Sequence, residues 1–173
     1  MGGFMPFTIR HAFPVPGDRQ SNQMKELRFP QTVMDRQALA DLNYAANPPA
    51  VEIEHYSSGV VTKPWGCEYE VSRNATESVW NLHLFENSET SMHCHLEKET
   101  MLIVTSGEVE FSTLGATISL GIGARILIER GVFHRTATRK GAMLVEIESP
   151  PNKADLVRLS DKYGREGKGY GAT

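Results

Sequence analysis

Short stretches of alternating apolar and polar residues constrain the fold of this chain more than any other feature. Between residues 78 and 86, Trp80, Leu82 and Leu84 share one parity, whereas Asn81 and His83 share the other. Because successive side chains of a β-strand point to opposite faces, this alternation predicts a strand with one face in a core. Comparable stretches separated by turn residues predict strands at 51–55, 59–63, 67–73, 78–86, 90–96, 100–105, 108–113, 116–120, 125–129, 134–139 and 142–148. The sequence therefore predicts an all-β sandwich or barrel.

The two ends of the chain lack this alternation. Residues 1–30 contain four prolines and predict an irregular arm, ordered by packing on the body or on a second subunit. A short helix is predicted next, with Asp35 as its cap, apolar residues at helical spacing as far as Ala46, and Asn47-Pro48-Pro49 as its end.

After the last predicted strand, Pro150-Pro151 begins a tail of different character. Residues 152–163 fit either a short helix or an extended segment at 155–159, and the glycine-rich remainder is expected to fray. We thus predict three parts: an arm and helix at 1–50, a β-barrel at 51–149 and a C-terminal tail at 150–173.

Composition narrows the class of protein. The 173 residues are 40% hydrophobic and 23% charged, with a formal net charge of −3, as expected for a soluble globular domain. This charge gives no reason to expect nucleic acid or an anionic membrane as a partner. The two cysteines, Cys67 and Cys94, are too few for a disulfide scaffold, and no signal peptide is recognisable, so we expect a cytoplasmic protein.

The stretch from Met92 to Gly107 carries the strongest functional signal. His93 and His95 are one residue apart, so on a strand both imidazoles face the same side. Carboxylates follow at Glu97 and Glu99. Two imidazoles with a nearby carboxylate suit a first-row divalent metal, and two His with one carboxylate form the facial triad of non-haem iron.

A second stretch contains a third histidine. Gly123 and Gly131 bracket an apolar segment, and His134 follows the second glycine by three residues. Together, the two stretches resemble the paired motifs of the cupin superfamily, in which His-x-His precedes a glutamate and a glycine, and a later Gly-bracketed segment precedes one histidine. The resemblance implies a cupin jelly-roll β-barrel, preceded here by the short helix and the irregular arm.

The same resemblance implies a metal site formed by His93, His95, Glu99 and His134, with Zn, Ni, Mn or Fe as the ion. Glu99 fits the distance from His95, whereas the distance from Gly107 would put Thr100 in its place. Two alternatives stay open. Glu97 has the strand parity of the two histidines, and three histidines completed by water also form an open site.

Two further stretches resemble families that act on carbohydrates. Residues 63–66 are similar to the start of the cupin domain in mannose-6-phosphate isomerase-type proteins, and residues 155–165 to tails of small polysaccharide-biosynthesis cupins. They imply a small-molecule substrate, a carbohydrate, and an enzyme of the sugar or sugar-phosphate isomerase or epimerase type. The candidates for the catalytic base are Glu97, His83 and Glu129, with Tyr69 as a fourth, and Lys98 or Arg125 would meet a phosphate.

Two other functions are compatible with the sequence. A metal-dependent iron dioxygenase would use the same ligands, and a non-catalytic sugar-binding or regulatory module would use the fold without turnover. The resemblance and the weakly polar arm also imply a homodimer.

Overall fold

The computed structural model describes residues 9–12, 24–42 and 59–170. Within them the chain forms one helix and fourteen strands. The elements in chain order are β1 (Ile9–Ala12), β2 (Met24–Phe29), α1 (Val33–Asp41), β3 (Val61–Lys63), β4 (Gly66–Arg73), β5 (Ser78–Leu84), β6 (Ser88–Glu89), β7 (Met92–Cys94), β8 (Glu99–Gly107), β9 (Val109–Thr113), β10 (Thr117–Leu120), β11 (Arg125–Ile128), β12 (His134–Thr138), β13 (Ala142–Ser149) and β14 (Val157–Ser160).

These strands form two sheets, which confirms the all-β prediction. The larger sheet has the order β1-β2-β11-β8-β13-β5-β4-β3, and the smaller has the order β10-β9-β12-β7-β14, with β6 paired to β12. Most neighbours are antiparallel, and strands distant in sequence lie side by side, as in a jelly roll. The predicted strand at 51–55 lies outside the described residues.

The core lies between the two sheets and is built by the parity seen in the sequence. Trp80, Leu82 and Leu84 are buried along β5, and they join Phe111 of the smaller sheet and Leu144 of β13 in one apolar cluster. Each such side chain contributes about 1.5–3 kcal/mol of burial free energy, so the alternation fixes the register of every strand.

The helix begins earlier than predicted. Thr32 is the N-cap, and Asp35 is the third helical residue of a capping box, in which its carboxylate accepts a hydrogen bond from the Thr32 backbone N–H at 2.7 Å. The other carboxylate oxygen of Asp35 accepts from the Phe133 backbone N–H at 3.0 Å. Asp35 therefore ties the helix to the loop before His134. No helix in the described part of the chain is long and apolar enough to cross a membrane.

Both ends contribute more structure than the sequence indicated. The predicted irregular arm contains β1 and β2, and β2 pairs in parallel with β11 at the edge of the larger sheet. In the tail, the extended alternative is confirmed, because β14 pairs with β7, the strand that carries His93. The tail is thus built into the smaller sheet next to the candidate site.

Candidate metal centre

The structure brings His93, His95 and His134 together. One ring nitrogen from each lies within 4.8 Å of the others, and the ring centroids are 4.4–5.4 Å apart. His93 lies on β7 directly opposite His134 on β12, and His95 follows β7 immediately. The glycine turn before His134 brings the two motifs together, because the Gly131 N–H donates to the His95 carbonyl at 2.6 Å and Gly131 has a left-handed φ of 72°.

Each histidine uses its Nδ1 atom in the same way. Nδ1 of His93 contacts the Ser91 carbonyl at 2.8 Å, Nδ1 of His134 the Val132 carbonyl at 2.9 Å, and Nδ1 of His95 the Asp155 carbonyl at 2.5 Å. Since a carbonyl only accepts, Nδ1 carries the proton and Nε2 keeps a lone pair. Nε2 of His95 is buried without a hydrogen-bond partner in the described structure. A metal ion would satisfy it, so the donor set fits a divalent ion.

Burial also keeps these imidazoles neutral. It lowers the pKa of His134 to about 4. Burial and the neighbouring His134 hold the pKa of His93 well below its usual range, and burial with the nearby Lys98 does the same for the pKa of His95. Neutral imidazole is the form that binds a metal, so the site is ready for one at neutral pH.

The structure does not bring Glu99 or Glu97 to the three histidines. Along β8, Thr100 is buried and Glu99 is only half-buried, so the inward position belongs to Thr100, as the spacing from Gly107 indicated. Glu97 is exposed and accepts a hydrogen bond from Asn152. Among the described residues, no carboxylate belongs to the cluster, so the geometry favours the third alternative, three histidines with open positions.

The chain turns sharply after His95, and Asp155 holds that turn. Its carboxylate accepts hydrogen bonds from the backbone N–H groups of Leu96, Glu97 and Lys98 at 2.8–3.0 Å. Strand parity therefore ends at His95, which is why Glu97 leaves the histidine face while the Lys98 side chain enters the barrel.

A cavity of about 60 Å³ opens beside His93 and His95. At roughly 10–15 Å³ per water molecule, it has room for several waters or a small ligand group. Its walls carry buried charges of both signs. The charged lining residues are Lys63, Glu68, Lys98, Glu146, Glu148, Lys153, Arg158 and Arg165.

Comparison with known proteins shows which solved structures have a similar fold. No protein-family model and no curated protein sequence matches the chain. Among solved structures, a double-stranded β-helix protein from Klebsiella pneumoniae is similar, with a TM-score of 0.52 and 18% identity over 67% of this chain and 100% of that one. An RmlC-like cupin from Shewanella frigidimarina has a TM-score of 0.51 and 16% identity, over 55% of this chain and 86% of that one.

The chain has the cupin fold. A third similar structure, KdgF from Halomonas sp., has a TM-score of 0.51 and 13% identity, over 59% of this chain and 94% of that one. At these identities the likeness concerns the fold, and any activity has to be argued from the site of this chain itself.

Two glutamates of β13 face the cavity with opposite protonation behaviour. Burial raises the pKa of Glu146, and the nearby Lys153 only partly offsets it. Burial also acts on Glu148, but Lys153 and Lys98 outweigh it and lower the pKa of that carboxyl to about 2. Two carboxyl groups whose environments drive their pKa values apart are typical of acid–base sites.

Lys153 connects these groups. Its ammonium hydrogen-bonds to Glu146 and lies 3.1 Å from Glu148 and 3.6 Å from Glu68. Burial alone would lower the pKa of Lys153, but the carboxylates outweigh it and raise the pKa. Lys98 forms the second ion pair with Glu148, at 2.5 Å.

None of the three predicted base candidates lines this cavity. His83 is on the opposite face of β5 from Leu82 and contacts the Tyr69 ring at a centroid distance of 5.9 Å. Glu97 is exposed on the turn after His95, and Glu129 follows β11 away from the cavity lining. The alternation along β5 explains the position of His83, because His83 has the opposite parity to the core residues of that strand.

Sequence reasoning missed the acidic pair that the cavity does contain. Along β13, Ala142, Leu144, Glu146 and Glu148 share the buried parity. Two glutamates at core positions of an alternating strand are a readable signal, because unpaired carboxylates are almost never buried. Lys98 is likewise buried and only 2% exposed.

Proposed function

We propose that this cupin is a metal-dependent enzyme that moves a proton on a sugar or sugar phosphate, as an isomerase or epimerase does. One observation carries the proposal: two members of the three-histidine cluster, His93 and His95, line the same cavity as an acidic pair with opposed pKa values. Aldose–ketose isomerisation and epimerisation beside a carbonyl both need a group that removes a proton and a group that returns one.

His93, His95 and His134 would hold the ion, with Zn, Ni, Mn or Fe suited to nitrogen ligands. A bound divalent ion supplies polarisation of a substrate carbonyl or hydroxyl oxygen. The chain supplies the rest. The Nδ1 contacts orient the imidazoles.

In this proposal Glu146 is the group that exchanges the proton. Its raised pKa brings the carboxyl closer to neutrality than an ordinary glutamate, so it can both accept and return a proton. Glu148 stays ionised between Lys98 and Lys153 and keeps the Lys153 ammonium in place for Glu146.

Deuterium exchange tests this function directly. Protein loaded in turn with each of the four metals is incubated in D₂O with aldoses, ketoses and their phosphates, and deuterium beside the carbonyl is followed by NMR. We expect incorporation that falls by about 10²–10⁴-fold in Glu146→Gln. The matched control, Glu97→Gln, removes an exposed carboxylate and leaves the rate unchanged.

The alternatives give different results in the same experiment. Oxygen uptake with iron and no deuterium exchange would contradict the isomerase proposal in favour of a dioxygenase. Saturable sugar binding without exchange under any metal would contradict it in favour of a binding module.

A further inference from the structure

Arg158 occupies a special position relative to the metal centre. It lies on β14 directly opposite His93 on β7, lines the cavity and is only 7% exposed. Directly opposed residues of an antiparallel pair have Cβ atoms about 4.5–5.5 Å apart, so the two side chains start from neighbouring points.

The guanidinium of Arg158 is held from one side. Nε donates to the Ser91 hydroxyl at 3.1 Å, and Nη1 donates to the carbonyls of Arg165, Lys168 and Gly169. Within the described residues, Nη2 has no hydrogen-bond partner. The tail therefore fixes the guanidinium and leaves Nη2 available to a molecule in the cavity.

The ion pairs of the cavity also distinguish Arg158 from the other cations. The three lysines of the cavity each lie within 4 Å of a cavity glutamate, and Arg165 pairs with Asp161 at 2.8 Å. Arg158 forms no ion pair within 4 Å with any residue that the structure describes, and the nearby carboxylates of Asp161 and Glu166 act on it only from a greater distance. A buried charge without a close ion-pair partner is costly, and a divalent ion on three neutral histidines would add two more positive charges.

We propose that Arg158 binds the anionic group of the substrate, and that this group is a carboxylate or phosphate adjacent to the oxygens that face the three histidines. The inference rests on the proposed function and narrows its substrate class to acidic carbohydrates. Because Arg158 is opposite His93, the anionic group lies near the metal-facing oxygens. A carboxylate beside a hydroxyl meets that requirement in the small cavity, and a phosphate at the far end of a sugar meets it less well.

Calorimetry on the metal-loaded full chain can test this. The probes are two matched pairs, gluconate with sorbitol and glucose 6-phosphate with glucose, together with lactate as a hydroxy acid that is not a carbohydrate. We expect gluconate to bind about tenfold or more tightly than sorbitol, the range for a hydrogen bond to a charged group. A preference only in the phosphate pair would identify phosphate as the anion instead.

Variants locate the effect. Arg158→Gln should remove the acid–neutral difference, and Arg158→Lys should retain part of it because the charge remains. Arg139→Gln is the control, since that side chain is 85% exposed in the turn after β12 and does not line the cavity. If Arg158→Gln does not fold, the wild-type comparison and Arg158→Lys still decide the matter.

The outcomes separate the two proposals. Equal binding of acid and neutral probes, unchanged in Arg158→Gln, would overturn the anion site and leave the carbohydrate function standing. Binding of lactate but of none of the sugars would support the anion site and overturn the carbohydrate function. No binding of any anion would overturn the anion site.

Discussion

At the scale of single residues, the free Nε2 atom of His95 makes the most direct prediction. His95→Ala removes one of three nitrogen ligands, so metal affinity should fall by more than the roughly 10–100-fold typical of a change outside the ligand shell. His83→Ala is the matched control, because the half-buried His83 also has a buried Nε2 without a partner in the described structure but lies outside the histidine cluster. Metal per chain is measured by elemental analysis after dialysis.

The same measurement tests the carboxylate. Glu99→Gln should leave metal content unchanged, because Glu99 is on the outward parity of β8. Loss of metal in this variant would restore Glu99 as a ligand, and retention in His95→Ala would refute the three-histidine site.

Burial of His134 predicts a pH dependence of the metal-free protein. The pKa of His134 is about 4 in the folded protein and about 6.5 in the unfolded chain. Below pH 6.5 the unfolded chain therefore binds more protons, and the free energy of unfolding decreases as the pH decreases. Above pH 6.5 His134 is neutral in both states, so its burial does not change the free energy of unfolding with pH. At pH 5 the free energy of unfolding is lower by about 2 kcal/mol. Urea unfolding at pH 7 and pH 5, compared with His134→Gln, isolates it, and equal slopes in the two proteins would contradict it.

Residues of the candidate site could be predicted from the sequence where they lie a few positions apart in one motif. His93 and His95 could be assigned to one face from parity alone, and His134 from its distance to Gly131. The charged residues of the cavity could not be assigned in this way, because sequence order does not reveal that Glu146 and Lys153 share a cavity with His93 and His95. Glu97 lies away from the histidines because the turn held by Asp155 ends the strand after Cys94.

At the scale of elements, the turn after His95 depends on the tail. Asp155→Ala removes the acceptor of three backbone N–H groups and should cost about 2–4 kcal/mol of unfolding free energy. It should also weaken metal binding, because the turn and the Asp155 carbonyl both position His95. Asn152→Ala is the control, since its side chain reaches the same turn only at the exposed Glu97. Denaturant unfolding and metal titration report the two effects, and equal losses in the two variants would contradict the assignment.

Element boundaries followed from alternation where strands lie in the barrel. They were less accurate at the ends, for physical reasons. The N-cap is Thr32 because Asp35 occupies the third helical position, where its side chain completes a capping box with Thr32. β14 became a strand because β7 offered an edge to pair with, a tertiary preference that no local propensity encodes.

At the scale of the whole molecule, the position of β1 bears on assembly. Among the described strands it forms one edge of the larger sheet, and edge strands pair readily with other chains. We predict a homodimer in light scattering, with twice the 19.2 kDa chain mass. Deletion of residues 1–30 should give the monomer mass, and an unchanged mass would contradict an arm-mediated dimer.

Metal binding should stabilise the entire fold, because the three histidines and their supports come from distant parts of the chain. His93 is on β7, His134 on β12, and the Asp155 carbonyl that orients His95 is in the tail. An ion that binds only the folded state at 100 times its dissociation constant adds about 2.7 kcal/mol. For a chain of this length, that raises the melting temperature by about 5–11 °C. Calorimetry before and after chelation measures the shift, and His95→Ala should show none. A wild-type melting temperature that does not respond to any of the four metals would mean that the histidine cluster holds no ion in the folded protein.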